Sequence, residues 1–194
     1  HGLGGNGTYA RSYFGLQSTA HTEAIVVYPD ALPLEIFGGV PGWDLTKDGY
    51  DLAYFDALYT HLTDNLCVDA DRVFSTGHSF GGYMSNTLGC YRSDVLNAIA
   101  PVAGGLGLLE TCGDQVGVWV THGTADDTVP FSEGTTARDY WMSVNACDDT
   151  HSVVSDDCIR YDNCDRAVHW CEHDGGHGWP KFAGEAIWSF FQSQ

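Results

Sequence analysis

Gly77-His78-Ser79-Phe80-Gly81-Gly82 constrains this chain more than any other stretch. An apolar run, Arg72 to Thr76, precedes it, and a helix-like segment, Gly82 to Tyr91, follows. A strand, a serine with glycines two residues to either side, and a helix make the sharp turn that lifts a nucleophile above a sheet. The serine then takes backbone angles that side chains disfavour, and the flanking glycines let strand and helix pass closely. Ser79 Oγ would stand at a helix N-terminus, whose free N–H groups suit an oxyanion. The competing reading is a chance Gly-x-Ser-x-Gly in a chain with 24 glycines, so the rest of the constellation decides.

A serine needs a neutral imidazole to take its proton and a carboxylate to orient that imidazole. Val116 to Val120 is a β-branched run that reads as a buried strand, and it leads into Thr121-His122-Gly123-Thr124-Ala125-Asp126-Asp127-Thr128-Val129-Pro130. A carboxylate just past the C-terminal end of a strand lies where open α/β sheets carry their chemistry. Asp126 is the preferred acid, because His-Gly-x-x-Asp-x-x-Val-Pro resembles what many serine hydrolases carry here. Asp127 competes for the role, and whichever residue loses it is read as a turn carboxylate in solvent. Ala167 to Glu172 looks like the last strand, followed by Gly175-Gly176-His177-Gly178-Trp179-Pro180. Glycines on both sides allow the backbone of His177 to approach the serine, so His177 is the expected base and His173 the runner-up. The other histidines are read as surface or loop residues. No His or Cys spacing suits a metal, and neither metal nor cofactor is expected.

The segment His1-Gly2-Leu3-Gly4-Gly5-Asn6-Gly7 suits a loop that supplies a second oxyanion amide. The expected donors are the backbone N–H groups of Leu3 and Phe80. On composition alone the loop would be a flexible glycine-rich segment; the other motifs reverse that preference. Such a loop normally leaves a buried strand, so the first strand or strands of the sheet are expected to lie outside the 194 residues.

The length fits one domain, 1–194, large enough for a core without staples. No apolar stretch approaches a membrane span. The net charge of −18, from 26 acidic against 8 basic residues, repels a polyanion, so nucleic acid is excluded as a partner. An acidic surface with only Lys47 and Lys181 as lysines suits a secreted or salt-adapted protein. Seven cysteines, four of them between Cys147 and Cys171, point to disulfides in an oxidising compartment. Cys147 with Cys164 is the preferred pair; the other pairings stay open, and the odd count leaves a thiol over. Asn6-Gly7-Thr8 is a glycosylation sequon lying within the oxyanion loop.

Strands are predicted at Ala24 to Tyr28, Arg72 to Thr76, Ala98 to Ala103, Val116 to Thr121 and Ala167 to Glu172. Helices are predicted at Tyr9 to Ala20, Gly49 to Asn65, Gly82 to Tyr91, Ser132 to Asn145 and Gly184 to Phe191. Leu52, Phe55, Leu58, Tyr59, Leu62 and Leu66 form an apolar face at helical spacing. Strands alternating with helices imply a mostly parallel sheet covered on both faces. Loops Asp30 to Lys47 and Leu106 to Gln115 would rim a site. Phe37, Pro41 and Trp43 on the first of them suit an acyl or aryl pocket, with core packing as the competing role. Trp43 and Trp179 are taken as substrate-binding.

With these motifs in hand, the chain resembles the secreted α/β-hydrolase esterases that include feruloyl esterases, acetylxylan esterases and polyhydroxybutyrate depolymerase-like proteins. The resemblance rests on His1 to Asn6, Gly42-Trp43, Asp51 to Phe55, Cys67-Val68-Asp69 with Arg72-Val73, the Ser79 turn, Ala100 to Gly104, the Asp126 loop and Gly176 to Pro180. It implies a secreted serine esterase with Ser79, Asp126 and His177 as triad, acting through an acyl-enzyme on hydroxycinnamoyl (feruloyl) esters of plant polysaccharide. Polyhydroxybutyrate or acetylxylan hydrolysis is the alternative within enzymes. A non-catalytic binding domain on the same fold is the alternative outside them, although such domains usually lose the serine or histidine kept here.

Overall fold

The structure is a computed structural model that describes all residues, His1–Gln194. Six strands form one sheet: β3 (Phe74–His78), β4 (Ala98–Val102), β5 (Gly117–Gly123), β6 (His151–Ser155), β7 (Cys158–Tyr161) and β8 (Val168–His173). Their spatial order is β3-β4-β5-β8-β7-β6. The first four in that order pair in parallel and the last two antiparallel, giving a mostly parallel mixed sheet. A separate small hairpin joins β1 (Pro33–Leu34) to β2 (Val40–Pro41). The helices are α1 (Gly7–Phe14), α2 (Leu16–Ala20), α3 (Tyr50–Asn65), α4 (Phe80–Tyr91), α5 (Phe131–Val144) and α6 (Ala183–Gln192).

Side chains alternate across a strand, so a strand buried on both faces feeds two cores. On β4, Ile99 joins Trp141 of α5, Leu52 of α3 and Met84 of α4. Its neighbours Ala98, Ala100 and Val102 turn to Ile187, Phe190 and Phe191 of α6. On β5, Val118 and Val120 face the first group and Trp119 the second. The chemistry therefore sits on a sheet clamped between helical layers, and the C-terminal ends of β3, β5 and β8 supply its loops.

Four predicted strands form in place, each within two or three residues of its expected ends. Ala24 to Tyr28 does not: it belongs to no ladder. Residues 24–30 make no backbone–backbone hydrogen bond. An apolar groove of about 600 Å³ separates this segment from β3, and the α3 residues Phe55, Leu58, Tyr59 and Leu62 open onto it. Of the apolar face predicted for α3, only Leu52 is fully buried. The predicted helix Tyr9 to Ala20 is broken at Gly15, whose φ of 67° ends α1 in a left-handed cap. The β6–β7 hairpin was not predicted. Its first strand, His-Ser-Val-Val-Ser, is exposed throughout and lacks the alternation that marks a half-buried strand.

Disulfides join Cys90 to Cys112, Cys147 to Cys164 and Cys158 to Cys171, leaving Cys67 free and exposed. The preferred pair is among them, and Cys158–Cys171 links directly opposed residues of β7 and β8. No helix is long and apolar enough to cross a membrane.

Several histidines expected at the surface are instead interior. His122 is fully buried, and His169 packs between Trp119 and Phe190 with ring centroids 5.3 and 4.9 Å away. Burial, reinforced by the nearby Arg160 charge, pushes His169 down to about 4 from an ordinary 6.5. The folded state thus resists protonation that the unfolded chain accepts. Stability from this source is complete above pH 6.5, declines as the pH falls toward 4, and is gone below that. In urea titrations, His169→Leu is expected to lose about 2 kcal/mol less stability than the parent between pH 7 and 4.5. Equal losses in the two proteins would rule this source out.

Candidate active site

The turn after β3 has the geometry its sequence demands. Ser79 sits at φ 57°, ψ −121°, one of few non-glycine residues with positive φ. Its amide is held by Val102 O at 2.9 Å and its carbonyl accepts the N–H groups of Gly82 and Tyr83. A side chain on Gly77 would drive into the Gly81 carbonyl, with Cβ only 2.4 Å from the oxygen, so the glycine spacing is a steric requirement.

The residues expected as acid and base meet on the neighbouring loops. Beyond β5, Asp126 is buried; its Oδ1 accepts the N–H groups of Thr128 and Val129, each at 2.9 Å. Its Oδ2 accepts the Nδ1–H of His177 at 2.7 Å. Burial alone would raise the Asp126 pKa, but the His177 hydrogen bond and the two amides outweigh it and hold the group below the usual carboxylate range. Asp127 is exposed and makes no contact with His177. His173 turns inward: its Nδ1 accepts the Gly175 N–H. With Nδ1 donating to Asp126, neutral His177 keeps its lone pair on Nε2, the form a base requires.

His177 reaches the serine's turn through His78, whose ring centroid lies 4.7 Å from its own. His78 is half-buried, and desolvation, with the His177 charge adding to it, pushes its pKa down to about 4. It therefore presents a neutral face to the His177 imidazole. Ser79 Oγ makes no hydrogen bond to His177 in this conformation, a common state of catalytic contacts before substrate closes them.

The Gly-rich loop lies beside the serine. A Cβ on Gly2 would stand 3.3 Å from Ser79 Cβ and 3.7 Å from its Oγ. Gly5 N–H bonds Gly2 O, and Gly4, at φ 74°, bonds Pro41 O, so Leu3 rides the tip of a tight turn. The amides of Leu3 and Phe80 donate to no protein acceptor.

Four residues that sequence reasoning missed or misassigned brace this arrangement. His1, only 7% exposed, donates Nδ1–H to Gly2 O and accepts the Ala31 N–H on Nε2. Trp43, taken from the sequence as substrate-binding, is 5% exposed, and its indole N–H bonds His1 O at 2.7 Å. Its burial and this bond to His1 make it an anchor of the glycine-rich loop. Trp179, also read as substrate-binding, stacks on Phe14 at 4.3 Å while its amide N–H donates to Tyr13 Oη, tying the His177 loop to α1. His122 Nε2–H donates to Val129 O at 2.9 Å and lies 3.3 Å from Asp126 Oδ2, backing the carboxylate. The contacts of His1 with Ala31, of Trp43 with His1 and of Trp179 with Tyr13 span many residues along the chain, so no local motif announces them. The 600 Å³ groove reaches this region through His1, Phe14, Trp43 and Gly81, and Ser79, Asp126 and His177 do not line it.

No protein-family profile matches the chain. Among curated proteins, it is 32% identical to a probable feruloyl esterase C of Aspergillus oryzae, over 97% of this chain and 72% of that protein. Feruloyl esterase C of Emericella nidulans gives the same identity and coverage. Feruloyl esterase D of Neurospora crassa is 31% identical over 92% of this chain and 65% of its own length. Among solved structures, an acetyl xylan esterase from Aspergillus awamori superposes with a TM-score of 0.70 at 12% identity, covering all of this chain and 87% of that one. A Bacillus cereus carboxylesterase gives 0.68 at 16%, covering all of this chain and 85% of its own. At such identities these superpositions speak for the fold, that of the α/β-hydrolases.

Proposed function

This chain belongs to the feruloyl esterase family, and we propose that it cleaves feruloyl-type esters of plant cell-wall polysaccharide with Ser79 as nucleophile. It is a carboxylic ester hydrolase. The observation that carries the assignment of roles is the 2.7 Å bond from His177 Nδ1 to Asp126 Oδ2, with the same imidazole packed against the residue preceding a strained serine.

Ser79 Oγ attacks the ester carbonyl carbon while its proton passes to His177 Nε2. The negative charge gathers on the carbonyl oxygen, between the unclaimed amides of Leu3 and Phe80; removing one such donor typically costs about 3 kcal/mol of barrier. Asp126 stabilises the imidazolium without taking its proton. Collapse breaks the bond to the alcohol, which leaves with the proton from His177. Water, deprotonated by the same imidazole, then attacks the acyl-serine; the carboxylic acid departs and Ser79 regains its hydrogen. Three disulfides support action outside the cell, where oxidising conditions keep them closed.

The test is hydrolysis of methyl ferulate beside 4-nitrophenyl acetate and hydroxybutyrate oligomers. Saturable release of ferulate is expected. Cleavage of the acetate ester with ferulate left intact would move the enzyme to short-chain substrates.

A further inference from the structure

The β1–β2 hairpin carries an apolar surface that the catalytic residues leave unused. Ile36 is 83% exposed and Phe37 42%, and Leu3 and Val40 are exposed beside them. A single domain has no folding reason to gather such residues in one place, and clustered exposed apolar side chains mark a binding surface. This cluster adjoins the nucleophile. Phe37 packs edge-on against Phe80, the residue after Ser79, with centroids 5.6 Å apart and planes at 86°. Phe80, Leu3 and Leu34 converge on Gly42: a Cβ there would lie 2.8, 2.9 and 3.0 Å from them. Val40 touches Gly4 of the oxyanion loop, since a Cβ on Gly4 would meet its Cγ1 at 3.3 Å. The surface is therefore continuous with both residues whose amides face the oxyanion.

Chemistry fixes which half of the ester meets it. His177 hands its proton to the departing alcohol, so the alcohol leaves on the imidazole side. That side is built from His78, Asp126 and the Tyr13–Trp179 contact. The hairpin packs on Leu3, Gly4 and Phe80 instead, so it faces the acyl half. An acyl group with a planar ring two carbons from its carbonyl presents a flat apolar face, which offset aromatic contacts recognise. We propose that Leu34, Ile36, Phe37 and Val40 of the hairpin, with Leu3 and Phe80, form the platform that binds the aryl ring of the acyl group. This rests on the feruloyl-ester reading above.

The test compares 4-nitrophenyl ferulate with 4-nitrophenyl acetate, which share a leaving alcohol and differ only in acyl group. The double variant Ile36→Ser/Phe37→Ala changes exposed side chains and leaves the triad untouched. It is expected to lower kcat/KM for the ferulate ester by about 10-fold or more, and for the acetate ester by less than about 2-fold. No selective loss on ferulate would overturn the platform alone, and an equal fall on both esters would make the hairpin a support of the oxyanion loop, overturning it too. A parent enzyme that cleaves the acetate but never the ferulate ester would overturn the platform and the feruloyl reading together.

Discussion

Ser79→Ala is expected to lower kcat on 4-nitrophenyl acetate by about 10⁴-fold or more, with the thermal midpoint kept. The size follows from the way the parts act together: without Oγ, the imidazole and the oxyanion amides have no bond to make, and only binding and polarisation remain. Stability is spared because Oγ makes no hydrogen bond that the fold depends on, while the turn is held by the Val102 carbonyl and by Gly82 and Tyr83. A second variant separates chemistry from backbone strain. Ser79→Gly removes the Cβ at φ 57° and is expected to be inactive yet about 1 kcal/mol more stable than Ser79→Ala. Circular-dichroism melts beside the rate assay check both. Activity retained in Ser79→Ala would dismiss Ser79 as nucleophile.

The next largest effect is expected at Asp126. In Asp126→Asn, the side-chain oxygen can still accept the Thr128 and Val129 amides, so the loop keeps its shape. Its NH2 group now faces His177 Nδ1, which must accept rather than donate. The proton moves to Nε2, the atom that has to take the serine's proton, and kcat is expected to fall about 10³- to 10⁴-fold. Asp127→Asn, on an exposed residue outside this network, is expected to stay within about 2-fold of the parent. If the two substitutions cost the same, the carboxylate orienting His177 is not Asp126.

The parts of this site that were legible in the sequence are those whose chemistry imposes a local pattern. Gly77 and Gly81 are spaced by a steric demand across one turn, Asp126 follows a β-branched run, and His177 sits among glycines after the last strand. β4 and β5 read clearly because both their faces are buried, which fills them with Val, Ile, Ala and Trp. The failures share a cause too. Ala24 to Tyr28 has the composition of a strand, but a ladder also needs a neighbour, and the groove beside β3 holds it apart from the sheet. The β6–β7 hairpin has neighbours but little apolar content. Trp43 was misread because a tryptophan near a glycine loop suits either a ligand wall or a buried anchor. Its bond to His1, 42 residues away, makes it the second. His122 and His78 were read as surface or loop residues for the same reason: packing beside a carboxylate or another imidazole is a property of the folded arrangement.

The central claim is that Ser79 is activated by the His177–Asp126 pair. It is tested most directly by treating the enzyme with a fluorophosphonate and locating the adduct by peptide mass spectrometry. One phosphonylated site on Ser79 is predicted, with labelling strongly slowed in His177→Ala. Adduct on another serine, or labelling of Ser79 at an undiminished rate without His177, would contradict the account.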